Sequence, residues 1–285
     1  MPLDVRQTIR TALEKGRLLS LSPPVRSQGH DGRRLSRRHG NALEFADYRE
    51  YQPGDDLRRL DWRVFARNNQ LLTKQFCEEI EPRCELIIDQ SASMQITPAK
   101  ALGTLAVAAI LATAADNAGF RLTVWQAAEQ WHCEQQPEQP LEWQHLNFTA
   151  RSSPGETLEA ACWQLRPRGL RILLSDLLWP DEPRKFLQRL REGTQACLVL
   201  QILSQTDLQP ALSGHITLID AETAAEHSYF LDAEALAQGQ ERLQRHQNLW
   251  LKAAESCGVV MLTLVAEQFL DTWDLQPLCQ AGILQ

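Results

Sequence analysis

From residue 84 onward the chain alternates short, fully apolar runs with segments long enough for helices. CELIID (84–89), LRILLSD (170–176), ACLVLQIL (196–203) and VVMLTLV (259–265) are hydrophobic stretches of strand length. A strand that is apolar on both faces has to be covered on both, the situation of a parallel sheet flanked by helices. The intervening segments supply those helices: Pro98 to about Ala118, about Glu156 to Leu165, a segment near 181–192, and a long one from Asp232 to Cys257. Asp232 is a good N-cap for the last of these and Gly258 its stop. FRLTVWQ (120–126) and WHCEQ (131–135) read as two strands around a tight connection, and 206–231 as a small excursion with short strands. The pattern predicts a doubly wound, mostly parallel α/β sheet over residues 83–285.

Residues 1–82 follow no such pattern and form a separate N-terminal region. Val5, Ile9 and Leu13 make a narrow apolar stripe on an amphipathic helix over 3–18, suited to docking on a neighbouring domain. Residues 20–43 are rich in Ser, Pro, Gly and Arg and read as a loop or extended arm, with a strand following at 71–78. Residues 1–40 carry nine Lys/Arg against three acids, within a chain of net charge −7. Such a basic segment suits nucleic acid, a membrane surface, or its own acidic body. The last carries most weight, because the acidic partner lies in the same chain.

Seven cysteines, none spaced as C-x-x-C, argue against a disulfide framework and a zinc site and suggest buried thiols in a reducing cytosol. The start is charged and lacks an apolar leader core. The uncharged run Leu102 to Ala115 falls short of the roughly 20 residues of a spanning helix and reads as a core helix. The expectation is a soluble, cytoplasmic protein without a transmembrane segment.

The phosphate-loop, dinucleotide, H-E-x-x-H and G-x-S-x-G motifs are all absent, and the seven histidines are dispersed. The most informative local pattern is ELIIDQSASM (85–94), where Asp89 ends an apolar strand and Ser91 and Ser93 follow it. Ligands of open α/β sheets bind at the carboxyl ends of strands. A loop there can turn Asp89, Ser91 and Ser93 to one point, an oxygen-only shell suited to Mg2+ or Mn2+. The plainer alternative is that all three satisfy backbone N–H groups at a turn and a helix start. Asp176 ends a second buried strand and reaches the same edge. Thr157, in SSPGETLEAAC, stands at a turn into a helix, where a hydroxyl also serves as a cap.

DQSASM, PGETL and LLSD together resemble the three loops of a von Willebrand factor A domain with its metal-ion-dependent adhesion site. That resemblance implies a metal set of Asp89, Ser91, Ser93, Thr157 and Asp176, with one position left for a carboxylate of a partner protein. Two departures stand out. The third loop has Asp176 followed by Leu177 rather than glycine, and GETL replaces the commoner double glycine before the threonine.

Upstream, YQPGDDLRRLDW (51–62) crowds acids and bases together. Paired carboxylates can divide acid and base roles, but Arg58, Arg59, Arg63 and Arg67 would keep Asp55, Asp56 and Asp61 ionised. Those acids in turn weaken any field that would draw a phosphate. Trp62 and Phe65, three apart, read as a docking face. The whole segment EFADYREYQPGDDLRRLDWRVFARNNQLLTKQFCEE (44–79) resembles the bacterial family called domain of unknown function 58, through Asp47, Arg49, Tyr51, Pro53, Gly54, Asp55, Asp56, Arg58, Asp61, Trp62 and Arg67. The resemblance implies a partner, a MoxR-type AAA+ ATPase or a substrate delivered to it, and a chaperone-like role in maturing or remodelling proteins. The expected function is therefore a metal-dependent protein-interaction module and not an enzyme. A metal-assisted hydrolase and nucleic-acid binding through the arm around Arg33 to Arg38 are the alternatives, the latter not favoured. The opening motif is expected to be a structural lock or partner interface.

Overall fold

A computed structural model describes residues 4–22, 44–77 and 82–285, apart from 135, 138, 181, 211–213, 222 and 224. The basic arm around Arg33 to Arg38 falls outside the described residues. The chain divides into two compact units, residues 1–31 with 82–285, and residues 32–81.

In the larger unit the helices are α1 (Val5–Gly16), α3 (Pro98–Asn117), α4 (Pro154–Ala161), α5 (Pro183–Arg191), α6 (Gln205–Leu208), α7 (Ala233–Cys257), α8 (Ala266–Thr272) and α9 (Gln276–Gln280). Its strands are β3 (Arg83–Asp89), β4 (Arg121–Ala127), β5 (His132–Cys133), β6 (Leu170–Ser175), β7 (Ala196–Leu203), β8 (Gly214–Ile219), β9 (Glu226–Leu231) and β10 (Val260–Val265). The smaller unit holds β1 (Glu44–Glu50), α2 (Trp62–Asn68) and β2 (Leu72–Cys77).

The central sheet runs β10-β7-β6-β3-β4-β5, parallel throughout except for the antiparallel edge strand β5. From β3 the chain moves to β4 on one side, then returns to β6 on the other and continues outward to β7 and β10. The strand order therefore reverses between β3 and β6, the place where open α/β sheets form a ligand crevice.

The alternation of side chains along β3 divides the core. Leu86 and Ile88 face a layer built around α1, α3, α8 and α9, while Ile87 faces the layer of α4, α5 and α7. Helix α3 is apolar all round because it is enclosed, with most of Leu102 to Ala115 buried. By length and composition it could cross a membrane; here protein surrounds it. Helix α1, whose narrow stripe suited docking on a neighbouring domain, packs on α3 and belongs to the larger unit, with Ile9 and Ala12 in the core. Asn117 Nδ2 donates to the carbonyls of Gly16, Arg17 and Leu19, tying off the end of α1. Residues 20–22 then pair with 283–285. Helix α7 has the expected limits, Asp232 capping its first turn and Gly258 closing it at φ +65°. Strands β8 and β9 form a separate antiparallel hairpin before α7. Of the described cysteines, Cys84, Cys197 and Cys257 are buried as expected, whereas Cys133 and Cys279 are exposed.

In the smaller unit β1 and β2 pair antiparallel, with a bulge between Phe45 and Asp47. Gly54 takes φ +111°, a turn conformation that favours glycine.

Candidate functional site

The carboxyl ends of β3, β6 and β7 bring three buried charged or ionisable groups, Asp89, Asp176 and Lys100, together with the partly buried Asp207. Asp89, the last residue of β3, is fully buried. Its Oδ1 accepts the Ser91 N–H at 2.8 Å and its Oδ2 accepts the Ser175 hydroxyl at 2.6 Å. The hydroxyls of Ser91 and Ser93 lie 3.0 Å apart on the turn that follows. Burial and the charge of Asp176 push the Asp89 carboxyl up to about 7, against the lowering effect of these hydrogen bonds. The first loop thus presents a carboxylate and two hydroxyls in the order the sequence suggested.

Asp176 directly follows β6. Its Oδ1 accepts the Leu178 N–H at 3.0 Å, and its Oδ2 accepts Lys100 Nζ at 2.9 Å. The same ammonium lies 2.9 Å from Oδ2 of Asp207, in the α6 capping box after β7. Lys100 is completely buried in the first turn of α3. Burial works against its charge, but Asp176 and Asp207 more than offset it and raise its pKa above the ordinary lysine value. Lys100, Asp207 and Ser175 were not foreseen from the sequence. A signal existed for two of them: a lone lysine opening an otherwise apolar helix, and S-x-x-D immediately after a buried strand.

Leu177, standing where the resemblance would place glycine, has φ +56°. It holds this left-handed conformation by complete burial, by donating its N–H to Ser175 Oγ at 3.0 Å, and by a 2.7 Å contact of its carbonyl with His246 Nε2. The departure in the third loop is therefore absorbed by packing.

Thr157 is engaged elsewhere. Its hydroxyl accepts the Trp131 indole N–H at 2.9 Å and donates to the Ser153 carbonyl at 3.1 Å. The buried hydroxyl of Ser153, by contrast, has no hydrogen-bond partner among the described residues. The second loop lies beside the first, since Ala92 N–H donates to the Ala150 carbonyl and Ser91 bridges Ala150.

A divalent cation of the magnesium type needs hard oxygen ligands. Asp89, Ser91 and Ser93 fit that requirement, and Asp176 fits it once Lys100 is placed elsewhere. Asp176 and Asp207 hold one ammonium between them and Asp89 stands beside Asp176, so carboxyl groups outnumber cations in the cluster. Among the described residues no group of three or more His, Cys, Asp or Glu side chains is arranged to hold a metal, so any site here depends on hydroxyl oxygens. The shallow hollow on α7, about 320 Å³ and lined by Glu241, Arg245, Leu249 and Lys252 among others, contains none of these residues.

The acids of the opening motif have local work. Asp55 accepts Arg49 Nη2 at 2.7 Å and the Gln52 N–H at 2.9 Å, and the Gln52 N–H together with Arg49 holds its carboxyl below the ordinary range. Asp56 caps the 3-10 turn Leu57–Arg59. Asp61 caps α2 through the N–H groups of Arg63 and Val64 and also accepts the Tyr48 hydroxyl at 2.8 Å. Pro53 and Gly54 form the turn, with Tyr51 N–H donating to the Leu71 carbonyl. Asp47 sits in β1 opposite Gln75. Arg58 and Arg67 are exposed, as is Trp62, whose ring meets Phe65 edge-on at 6.2 Å.

Fold and site together define a mixed α/β protein with an acidic, hydroxyl-rich cluster at the switch point of a mostly parallel sheet. The family described as "Protein of unknown function DUF58" matches residues 47–248, more than half of the chain, and the chain belongs to that family. It is 26% identical over 239 residues to the uncharacterized protein Rv1480 of Mycobacterium tuberculosis, covering 79% of this chain and 75% of that protein. The uncharacterized protein Mb1516 of Mycobacterium bovis matches to the same extent. Among solved structures, the conserved hypothetical protein BatB of Bacteroides thetaiotaomicron aligns with TM-score 0.40 and 11% identity, over 70% of this chain and 98% of that one. An aerotolerance-related membrane protein of Bacteroides fragilis aligns with TM-score 0.41 and 10% identity, over 67% of this chain and 95% of that one. These two likenesses are too distant to argue from.

Proposed function

We propose that the chain is a non-enzymatic, cytoplasmic protein-interaction module of von Willebrand factor A type that recruits its partner through a divalent cation. The observation that carries this reading is the buried surplus of carboxylate over cationic charge at the switch point, beside two clustered serine hydroxyls. A buried carboxylate without a counter-charge is costly, and a hard cation removes that cost. Asp89, Ser91 and Ser93 would hold Mg2+ or Mn2+ directly, with Asp176 and the second loop, through Thr157 or its neighbours, completing the shell. Bound there, the ion would offer an open position to a carboxylate of the partner. Ser175 fixes the rotamer of Asp89 by its hydrogen bond to Oδ2, and the buried Leu177 turn aims Asp176 along the same edge.

A MoxR-type AAA+ ATPase, or a protein delivered to one, is the partner we assign, on the strength of the opening motif alone. The test is thermal melting of wild type and Asp89→Ala with and without Mg2+ or Mn2+. Stabilisation by the ion in wild type only is the expected result; equal melting of both, with or without ion, would remove the metal from the proposal.

A further inference from the structure

Lys100 is fully buried, yet among the described residues no backbone group holds its ammonium; two carboxylates do, each at 2.9 Å, one from the end of β6 and one from beyond the end of β7. An ammonium has three donors and a single charge to divide between them. Asp207 is fixed independently of Lys100: its Oδ2 also accepts the Ser204 N–H at 2.8 Å, and its own N–H donates to the Ser204 hydroxyl. Asp176 is the more divided partner. It serves Lys100 with one oxygen and the Leu178 N–H with the other, and stands electrostatically against Asp89. A cation approaching Asp89, Ser91 and Ser93 therefore meets an Asp176 already committed to an internal positive charge.

We infer that Lys100 is a built-in competitor for the divalent cation, and that Asp207 is the carboxylate that keeps it when Asp176 turns to the ion. The inference rests on the metal reading above. In the ion-free protein Lys100 offsets part of the cluster's negative charge and helps keep it folded. On ion binding it withdraws to Asp207 without leaving the interior, so no ammonium has to be expelled into solvent. The consequence is a site whose affinity is set below what its oxygen ligands alone would give, with Lys100 and Asp207 as positioning residues rather than ligands.

The experiment is a Mn2+ titration of the full chain, read by calorimetry and by the paramagnetic signal of the free ion, with melting recorded in parallel. The set is wild type, Asp89→Asn, Asp207→Asn, Lys100→Met and the Lys100→Met/Asp207→Asn pair. Asp207→Asn leaves Lys100 bound to Asp176 alone, and the expected result is binding weakened about tenfold or more. Lys100→Met is expected to tighten binding by a similar factor and to lower the ion-free melting temperature. In the Lys100→Met background Asp207→Asn should change the affinity little, because its effect acts through the lysine; a plain field effect of one acid would persist there at full size. If Lys100→Met folds only with Mn2+, the ion has replaced the ammonium and the inference holds. If it does not fold at all, Lys100→Gln takes its place in the same cycle. Unchanged or tighter binding in Asp207→Asn, with wild type still binding through Asp89, overturns the exchange and leaves the metal reading standing. No Asp89-dependent binding in wild type or in any Lys100 variant overturns both.

Discussion

Strands β3 and β6 carry a buried charge cluster at each end, and the two are built on opposite terms. At the amino ends Glu85 and Arg171 are register partners on adjacent strands. Arg171 Nε and Nη2 both reach Glu85 Oε2, at 3.0 and 2.9 Å, while Oε1 accepts the N–H of Arg166 and the indole N–H of Trp125. The remaining guanidinium nitrogen reaches the Leu190 carbonyl. One charge meets one charge, and hydrogen bonds occupy the rest of both groups. At the carboxyl ends Asp176 and Asp207 share Lys100, and Asp89 lies close enough to Asp176 for that charge to push its carboxyl up. The first cluster is closed and fits a purely structural role; the second is unbalanced and has room for something more. Burial alone does not separate function from scaffold here. Charge balance does.

The largest effect should come from opening the closed cluster. Arg171→Met leaves Glu85 buried without its cation and should lower the unfolding free energy by about 3–5 kcal/mol in urea titrations. The double change Glu85→Leu/Arg171→Met should recover part of that loss. Recovery stays incomplete because Trp125 Nε1 and the Arg166 N–H lose their acceptor. None of this loss should depend on Mg2+. A loss in Arg171→Met below about 1 kcal/mol would mean the amino-end pair is not the structural element described here.

The next test falls on the unbalanced cluster. At an ion concentration a hundredfold above Kd, Mg2+ or Mn2+ should stabilise wild type by about 2.7 kcal/mol. Asp89→Asn should show none of this, and should be more stable than wild type without ion, because an amide carries no buried charge. Denaturant midpoints of the two proteins, with ion and with chelator, measure both effects.

The pH dependence sharpens the same contrast. Asp89 titrates at about 7 in the folded protein against an ordinary 3.8. A raised carboxyl favours folding while it is protonated. Its contribution is complete below pH 3.8 and is lost as the pH rises through about 7. Ion-free wild type should therefore lose stability over that window relative to Asp89→Asn. Mg2+ should diminish the loss, since the ion favours the ionised carboxylate. Urea midpoints of the two proteins at intervals from pH 4 to 8 decide it; parallel curves would show that Asp89 titrates alike in the folded and unfolded chain.

The two clusters also differ in how far the sequence revealed them. The apolar runs at 84–89, 170–176 and 196–203 gave strands because fully buried parallel strands need no alternation. Helix α7 was readable to its caps because Asp232 and Gly258 act on their own turns. Asp89, Ser91 and Ser93 were legible for the same reason: three positions on one turn are placed by local geometry. Lys100, Asp176 and Asp207 meet across 76 and 31 residues of chain, and no local rule announces such a meeting. Thr157 shows the converse limit. Its position at a helix start was visible, but its engagement by Trp131 depends on a strand edge 26 residues away. Helix α1 was readable as amphipathic, while the surface it covers, α3, is a tertiary fact.

The smallest effect tests whether the acids of the opening motif do local structural work. Asp61→Ala removes the acceptor that caps α2 and holds the Tyr48 hydroxyl, and should cost about 1 kcal/mol. Amide exchange of Arg63 and Val64 should accelerate roughly fivefold, the equivalent of that free energy, while Asp61→Asn, which can still cap, should show little change. Mn2+ affinity should be the same in Asp61→Ala as in wild type, since the bonds this carboxylate makes to Arg63, Val64 and Tyr48 all lie within its own unit. A weakened ion response in Asp61→Ala would break the division between a locally locked motif and a separate charged site, and would bring Asp55 and Asp56 back as functional groups.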